Sequence, residues 1–100
     1  MRADKSQAGI VAALVAFGCS VEVVEGRGGR PDLLVGYRGV TLLIECKSPG
    51  HDKKTGSAKK HLAKQEAWRA AWRGGPVFVV ETPAQACDAV LLAVLGGQQP

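Results

Sequence analysis

The sequence predicts an α/β fold in the order helix, three strands, helix, strand, helix, with one mixed central sheet. Three observations predict it. Apolar residues recur at three- and four-residue steps near the N-terminus. Short runs rich in β-branched residues, punctuated by Gly and Pro, fill much of residues 20–47 and 76–81. Between them, residues 57–73 are rich in Ala, Lys, Gln and Glu and free of Gly and Pro.

At 100 residues, the chain is expected to be one domain over 1–100. A chain of this length buries roughly two-thirds of its unfolded surface, enough for a core without disulfide or metal staples. With 46% hydrophobic and 22% charged residues it has globular composition, not that of a disordered or fibrous chain. The longest apolar run is too short to span a bilayer, and no charged n-region leads into an h-region. No membrane association is therefore expected. Cys19, Cys46 and Cys87 are odd in number and widely spaced, with no C-x-x-C, which argues against a disulfide framework or a zinc knuckle. Reduced, mostly buried thiols imply a cytoplasmic setting.

Each element has its own reason. Ile10, Val11, Leu14, Val15 and Phe17 give residues 4–17 an apolar stripe at helical spacing, and Gly18 can end that helix. Ser20–Glu25 carries Val21, Val23 and Val24 and reads as a strand, and Gly26 to Arg30 is a break. Asp32–Gly36 is a second strand, and Gly36-Tyr37-Arg38-Gly39 a tight turn. Val40–Lys47 is a third strand, apolar on both faces through Val40, Leu42, Leu43 and Ile44, as in a sheet covered on both sides. Residues 50–56 form a polar loop before the 57–73 helix, which Gly74-Gly75-Pro76 terminates. Val77, Phe78, Val79 and Val80 make a buried strand within 76–81. Thr82 caps a last helix with Pro83 in its first turn and Ala86, Ala89, Val90, Leu92, Ala93 and Leu95 at its apolar positions. Short connections make the first three strands antiparallel neighbours, and the fourth, returning after a helix, runs parallel to one of them.

Charged residues interrupt strands that otherwise read as core. Asp32 follows Pro31 at the start of the second strand, and Glu45, Cys46 and Lys47 end the third. Side chains at i and i+2 of a strand share a face, so Glu45 and Lys47 project together and Cys46 to the other side. Counting back from the 36–39 turn brings Glu45 near Asp32. Two carboxylates at that distance repel one another, and a divalent cation removes the conflict. Asp32, Glu45 and the backbone carbonyl of Cys46 offer hard oxygen ligands of the kind that suits Mg²⁺ or Mn²⁺, which retains waters and takes substrate phosphate oxygens. Such an ion lowers the pKa of a bound water, and Lys47 can steer that water or stabilise the transition state. Together these parts suit phosphodiester hydrolysis. On the 57–73 helix His61, Gln65, Trp68 and Trp72 share one face, and Gln65 is the residue placed to orient water or phosphate. Trp68 and Trp72 are expected to serve as core, since the chain has only five aromatic residues.

The net charge of +4 is unevenly spread: residues 51–73 hold seven cations and two anions, and the rest of the chain sums to −1. A local basic block points to a polyanionic partner, nucleic acid first. Lys53, Lys54, Lys59, Lys60 and Lys64 are the expected DNA-backbone contacts, with Arg27 and Arg30 from the glycine-rich break.

Gly29-Arg30-Pro31-Asp32, twelve intervening residues and then Glu45-Cys46-Lys47 resemble the PD-(D/E)xK nuclease superfamily. The later helix with Gln65 and Trp68, then Gly74 and the Val77–Val80 strand, resembles more specifically its VRR-NUC branch, which includes stand-alone phage and bacterial nucleases. The resemblance covers about residues 4–95. It implies a restriction-endonuclease-like αβββαβ core with a C-terminal helix. By position, Asp32 and Glu45 are metal ligands, Cys46 lends its carbonyl, Lys47 is the catalytic lysine and Gln65 the helix glutamine. The branch often places a glutamate in the first helix near the metal. This chain has none there and offers Gln7 instead, which leaves one ion or two open. The implied activity is a Mg²⁺- or Mn²⁺-dependent endodeoxyribonuclease, structure-specific for branched or Holliday-junction-like DNA, acting as a homodimer because a 10.5 kDa monomer offers little surface for two DNA arms. The alternative is a non-catalytic DNA-binding module on a nuclease-like scaffold.

Overall fold

A computed structural model describes residues 5–24, 27–47 and 56–96, except the side chains of Lys5, Ser6, Arg27, residues 56–59 and His61. Its elements are α1 (Lys5–Phe17), β1 (Ser20–Val23), a 3-10 turn (Arg27–Gly29), β2 (Leu33–Tyr37), β3 (Val40–Cys46), α2 (Gly56–Ala71), β4 (Val77–Val80) and α3 (Pro83–Gly96). The order is the predicted one, and so is the α/β class. The strands lie in the order β1-β2-β3-β4. β1 and β2 are antiparallel, as are β2 and β3, while β4 runs parallel to β3.

The boundaries differ in ways that matter for the site. The hairpin turn is Arg38-Gly39, closed by the Tyr37–Val40 pair. Both turn residues have positive φ, 49° and 83°, as a two-residue hairpin loop that matches strand twist requires. Gly36 therefore stays in β2, and Asp32 stands one residue before that strand rather than inside it. β1 ends at Val23, although the Val24 amide still donates to the Asp32 carbonyl at 2.7 Å. α2 ends at Ala71, leaving Trp72 and Arg73 beyond it. At the start of α3, Thr82 Oγ1 accepts the Gln85 amide at 3.1 Å, and the Gln85 side chain reaches back to the Glu81 amide at 2.7 Å. This is the expected cap.

Paired residues on neighbouring strands project to the same face of a sheet. Leu33 and Ile44, Val35 and Leu42, and Cys46 and Val80 are such pairs. They form the core with Ile10 and Leu14 of α1 and Ala86, Ala89, Val90 and Ala93 of α3. Burying each of the larger aliphatic side chains contributes about 1.5–3 kcal/mol. The expected apolar positions Val15, Leu92 and Leu95 are not part of it: they are 57%, 58% and 81% exposed. α1 and α3 pack on each other and on the sheet, so any further apolar residue on either helix points outward. Val79 is 52% exposed for a related reason, because β4 is an edge strand and not a buried one.

α2 lies on the opposite face, held through the 27–29 turn. There Gly29, at φ +86°, packs so closely that a Cβ would stand 2.3 Å from the Lys64 carbonyl oxygen. Cys19 and Cys46 are buried, Cys87 is half-buried, and all three are free thiols as expected. Among the described residues no helix is long and apolar enough to cross a membrane.

Candidate active site

The Leu33–Ile44 pair sets Asp32 opposite Glu45 by simple continuation of the antiparallel register. The Cys46 amide donates to Oδ2 of Asp32 at 2.8 Å, which ties the carboxylate to the end of β3. Glu45 is on the α2 face and only 4% exposed. Its Oε2 accepts a hydrogen bond from Gln65 Nε2 at 2.5 Å. Lys47 Nζ stands 3.5 Å from the same Oε2 and donates to Gln65 Oε1 at 2.9 Å. Glu45, Gln65 and Lys47 thus close a three-membered ring of polar contacts beside Asp32. Gln65 is itself 1% exposed, and no buried side-chain nitrogen or oxygen among the described residues lacks a partner.

This ring assigns Gln65 a definite place. Both ends of its amide are engaged by protein groups, so it bridges Glu45 and Lys47. Its own position depends on Gly29, since the backbone at Lys64 and Gln65 rests against that glycine. In the sequence Gly29 belongs to the glycine-rich break and opens the Gly-Arg-Pro-Asp motif, with no packing role evident. The available signal was a Gly-Gly pair directly before Arg-Pro-Asp, where a close approach of two backbones needs a missing side chain.

The electrostatics are unbalanced. Burial first, and then the neighbouring Asp32 charge, push the Glu45 carboxyl up to about 7. Lys47 and the hydrogen bond from Gln65 pull the other way without cancelling this. With both carboxylates ionised, Lys47 does not offset the cost at Glu45. The residues present fit a divalent cation. Gln65 and Lys47 both meet Glu45 at Oε2. No group of three or more His, Cys, Asp or Glu residues is gathered among the described residues. Few protein oxygens and several waters is the arrangement Mg²⁺ favours, unlike the closed nitrogen and sulfur sites of structural zinc.

The remaining expected site residues separate into groups. Gln7 is half-buried on α1, which packs against α3, β1 and β3, and it takes no part in the ring of contacts around Glu45. Lys60 and Lys64 are exposed on α2, and Arg30 is exposed beside Pro31. Lys53 and Lys54 lie outside the described residues, as do the side chains of Lys59 and Arg27. Trp68 is half-buried, but Trp72 is 39% exposed and is not core, because it follows the end of α2.

Among solved structures, the chain is similar to one described as "VRR_NUC domain", with 32% identity and a TM-score of 0.57. The match covers 87% of this chain and 91% of that one. No family model matches the chain, and no curated protein does.

Proposed function

The chain belongs to the VRR_NUC domain family and is a nuclease-like domain, and from that premise we propose that it is a metal-dependent endonuclease that hydrolyses phosphodiester bonds of branched or Holliday-junction-like DNA. The observation that carries this reading is the buried ring of Glu45, Gln65 and Lys47 beside Asp32. A structural ion pair at a strand end has no need of a second carboxylate that raises the pKa of the first.

In this reading Asp32, Glu45 and the Cys46 carbonyl hold Mg²⁺ or Mn²⁺. When bound, such an ion would supply a water of lowered pKa and neutralise charge on the phosphate. The protein does the rest by position. The Cys46 amide fixes Asp32, and Gln65 holds Glu45 with one end of its amide and Lys47 with the other. Lys47 keeps its ammonium at the edge of the site, where it hydrogen-bonds the attacking water or a phosphate oxygen as negative charge develops. Cleavage leaves a 5′-phosphate and a 3′-hydroxyl. The exposed cations Arg30, Lys60 and Lys64 hold the DNA backbone on the same side as α2.

The active form of this reading is a homodimer joined through the outward side of α1 and α3. Val15, Leu91, Leu92 and Leu95 are exposed there. Asp88 is the one charged residue in the whole of α3, and α1 has none after Lys5. Helices that are apolar on all sides belong in an interior. Joining two copies this way leaves both carboxylate sites on the outer faces, free to reach DNA.

The deciding experiment offers labelled four-way junction and matched linear duplex to the protein and to Lys47→Ala, with Mg²⁺, Mn²⁺ or EDTA. Cutting that needs metal, prefers the junction and is lost in Lys47→Ala is expected. Salt-sensitive binding to both DNAs with no cutting under any metal would replace the enzyme with the DNA-binding module.

A further inference from the structure

Trp72 is the exposed aromatic side chain on the face that carries the carboxylates, and it is held rigidly. Its ring stacks on Trp68 with centroids 4.8 Å apart and planes 19° from parallel. Its Nε1 donates to the Gly75 carbonyl at 2.7 Å. The backbone turns past the indole at Gly74, where a Cβ would stand 2.2 Å from the ring carbon Cζ2. Glycine there lets the chain pass with no side chain across the ring. Even so, 39% of the residue remains in solvent. A tryptophan used only to fill a core buries that surface.

The position is defined by contacts from the middle of α2 and from just beyond its C-terminal end. Gln65 hydrogen-bonds Glu45 and Lys47, and Gly75, which accepts from Trp72, packs against the Thr41 carbonyl. The segment 65–75 therefore follows β3 backwards from Glu45 to Thr41. Gln65, Trp68 and Trp72 share one side of this segment. Seven residues at helical rise set Trp72 about 10 Å along the axis from Gln65, or roughly three base steps of a stacked strand. Arg69 and Arg73 lie within this segment and Lys60 and Lys64 just before it, against the single anion Glu66.

We propose that Trp72, backed by Trp68, is a stacking platform for an unpaired nucleobase, so that the substrate is DNA with a single-stranded stretch about three nucleotides from the scissile phosphate. This rests on the nuclease reading and narrows its substrate class. A base inside a duplex already stacks on its neighbours and gains nothing from the platform. An unpaired base gains a rigid, pre-ordered π-face, and the cations on either side hold its phosphates. A fork, a gap or the open centre of a junction supplies such a base, whereas plain duplex does not.

Trp68 and Trp72 are the only tryptophans in the chain, so its intrinsic emission reads the platform directly. The test titrates the full chain, in EDTA to prevent cutting, with a ten-nucleotide oligothymidylate, a matched duplex and a fork bearing one single-stranded arm. Oligothymidylate and fork should quench the emission. Trp72→Leu should weaken binding to both by about tenfold or more and leave duplex binding within about twofold. Trp72→Phe, which keeps a ring on Trp68, should retain most of the preference. Equal losses on all three DNAs, or binding of oligothymidylate without quenching by wild type, would overturn the platform while leaving the nuclease reading in place. No binding to any of the DNAs would overturn both. Because the quenching is read on wild type, a fold defect in Trp72→Leu cannot mask the result.

Discussion

Replacing Glu45 by glutamine should make the metal-free protein more stable at pH 8 while abolishing metal binding. The Glu45 carboxyl is pushed from 4.5 to about 7, by burial first and then by Asp32. Below pH 4.5 the group is protonated in the folded and unfolded chains alike, and it costs nothing. Between 4.5 and 7 the unfolded chain ionises first, so folding loses free energy as the pH rises. Above 7 the full cost applies, about 3 kcal/mol from the size of the shift. Glutamine removes that cost and can still accept from Gln65 Nε2. The 3.5 Å pairing with Lys47 that it gives up is already counted in the net shift, so its loss adds no separate cost. The expected balance is a gain of about 2–3 kcal/mol for Glu45→Gln over wild type at pH 8 in EDTA, falling below about 1 kcal/mol at pH 5. Urea unfolding of both proteins at the two pH values measures this. A variant less stable than wild type at pH 8, or a difference between the two that does not change with pH, would refute the reasoning.

Binding of Mn²⁺ should release a proton near neutral pH, because Glu45 must ionise to act as a ligand, and affinity should fall as the pH drops below 7. Calorimetry in buffers of different ionisation enthalpy detects it, and absence of proton release would put Glu45 outside the ligand set. Gly29→Ala should cost about 2–4 kcal/mol in urea unfolding, since the new Cβ meets the Lys64 carbonyl at 2.3 Å and φ is +86°. A loss below about 0.5 kcal/mol would mean that the turn does not brace α2. Placing glutamate at both Leu92 and Leu95, which are 58% and 81% exposed, should leave the fold intact and convert a dimer to a monomer in sedimentation. A wild-type protein that is already a strict monomer at micromolar concentration, with junction cutting intact, would remove the proposed interface.

What the sequence determined by itself is what local chemistry controls. Glycine and proline mark the ends of elements through their backbone restrictions, and hydrophobic period separates helix from strand, so the order of all seven helices and strands was legible. The facing of Asp32 and Glu45 was legible too. A hairpin turn and strict alternation propagate register: a turn over 36–39 would set Asp32 opposite Leu43, two residues from Glu45 on the same face, and the actual Tyr37–Val40 closure brings the two acids directly opposite one another. The tertiary structure decided whatever depends on which surfaces meet. Val15, Leu92 and Leu95 are as apolar as the buried Leu14 and Val90, and nothing in their identity tells that two helices on one sheet leave an outer side uncovered. The bridge from Gln65 to Glu45 and Lys47 joins residues eighteen and twenty positions apart, and it exists because Gly29 lets α2 settle against the 27–29 turn. The raised Glu45 pKa has the same origin. It measures how much water the surrounding elements exclude, and solvent exclusion is a property of packing that no residue carries alone.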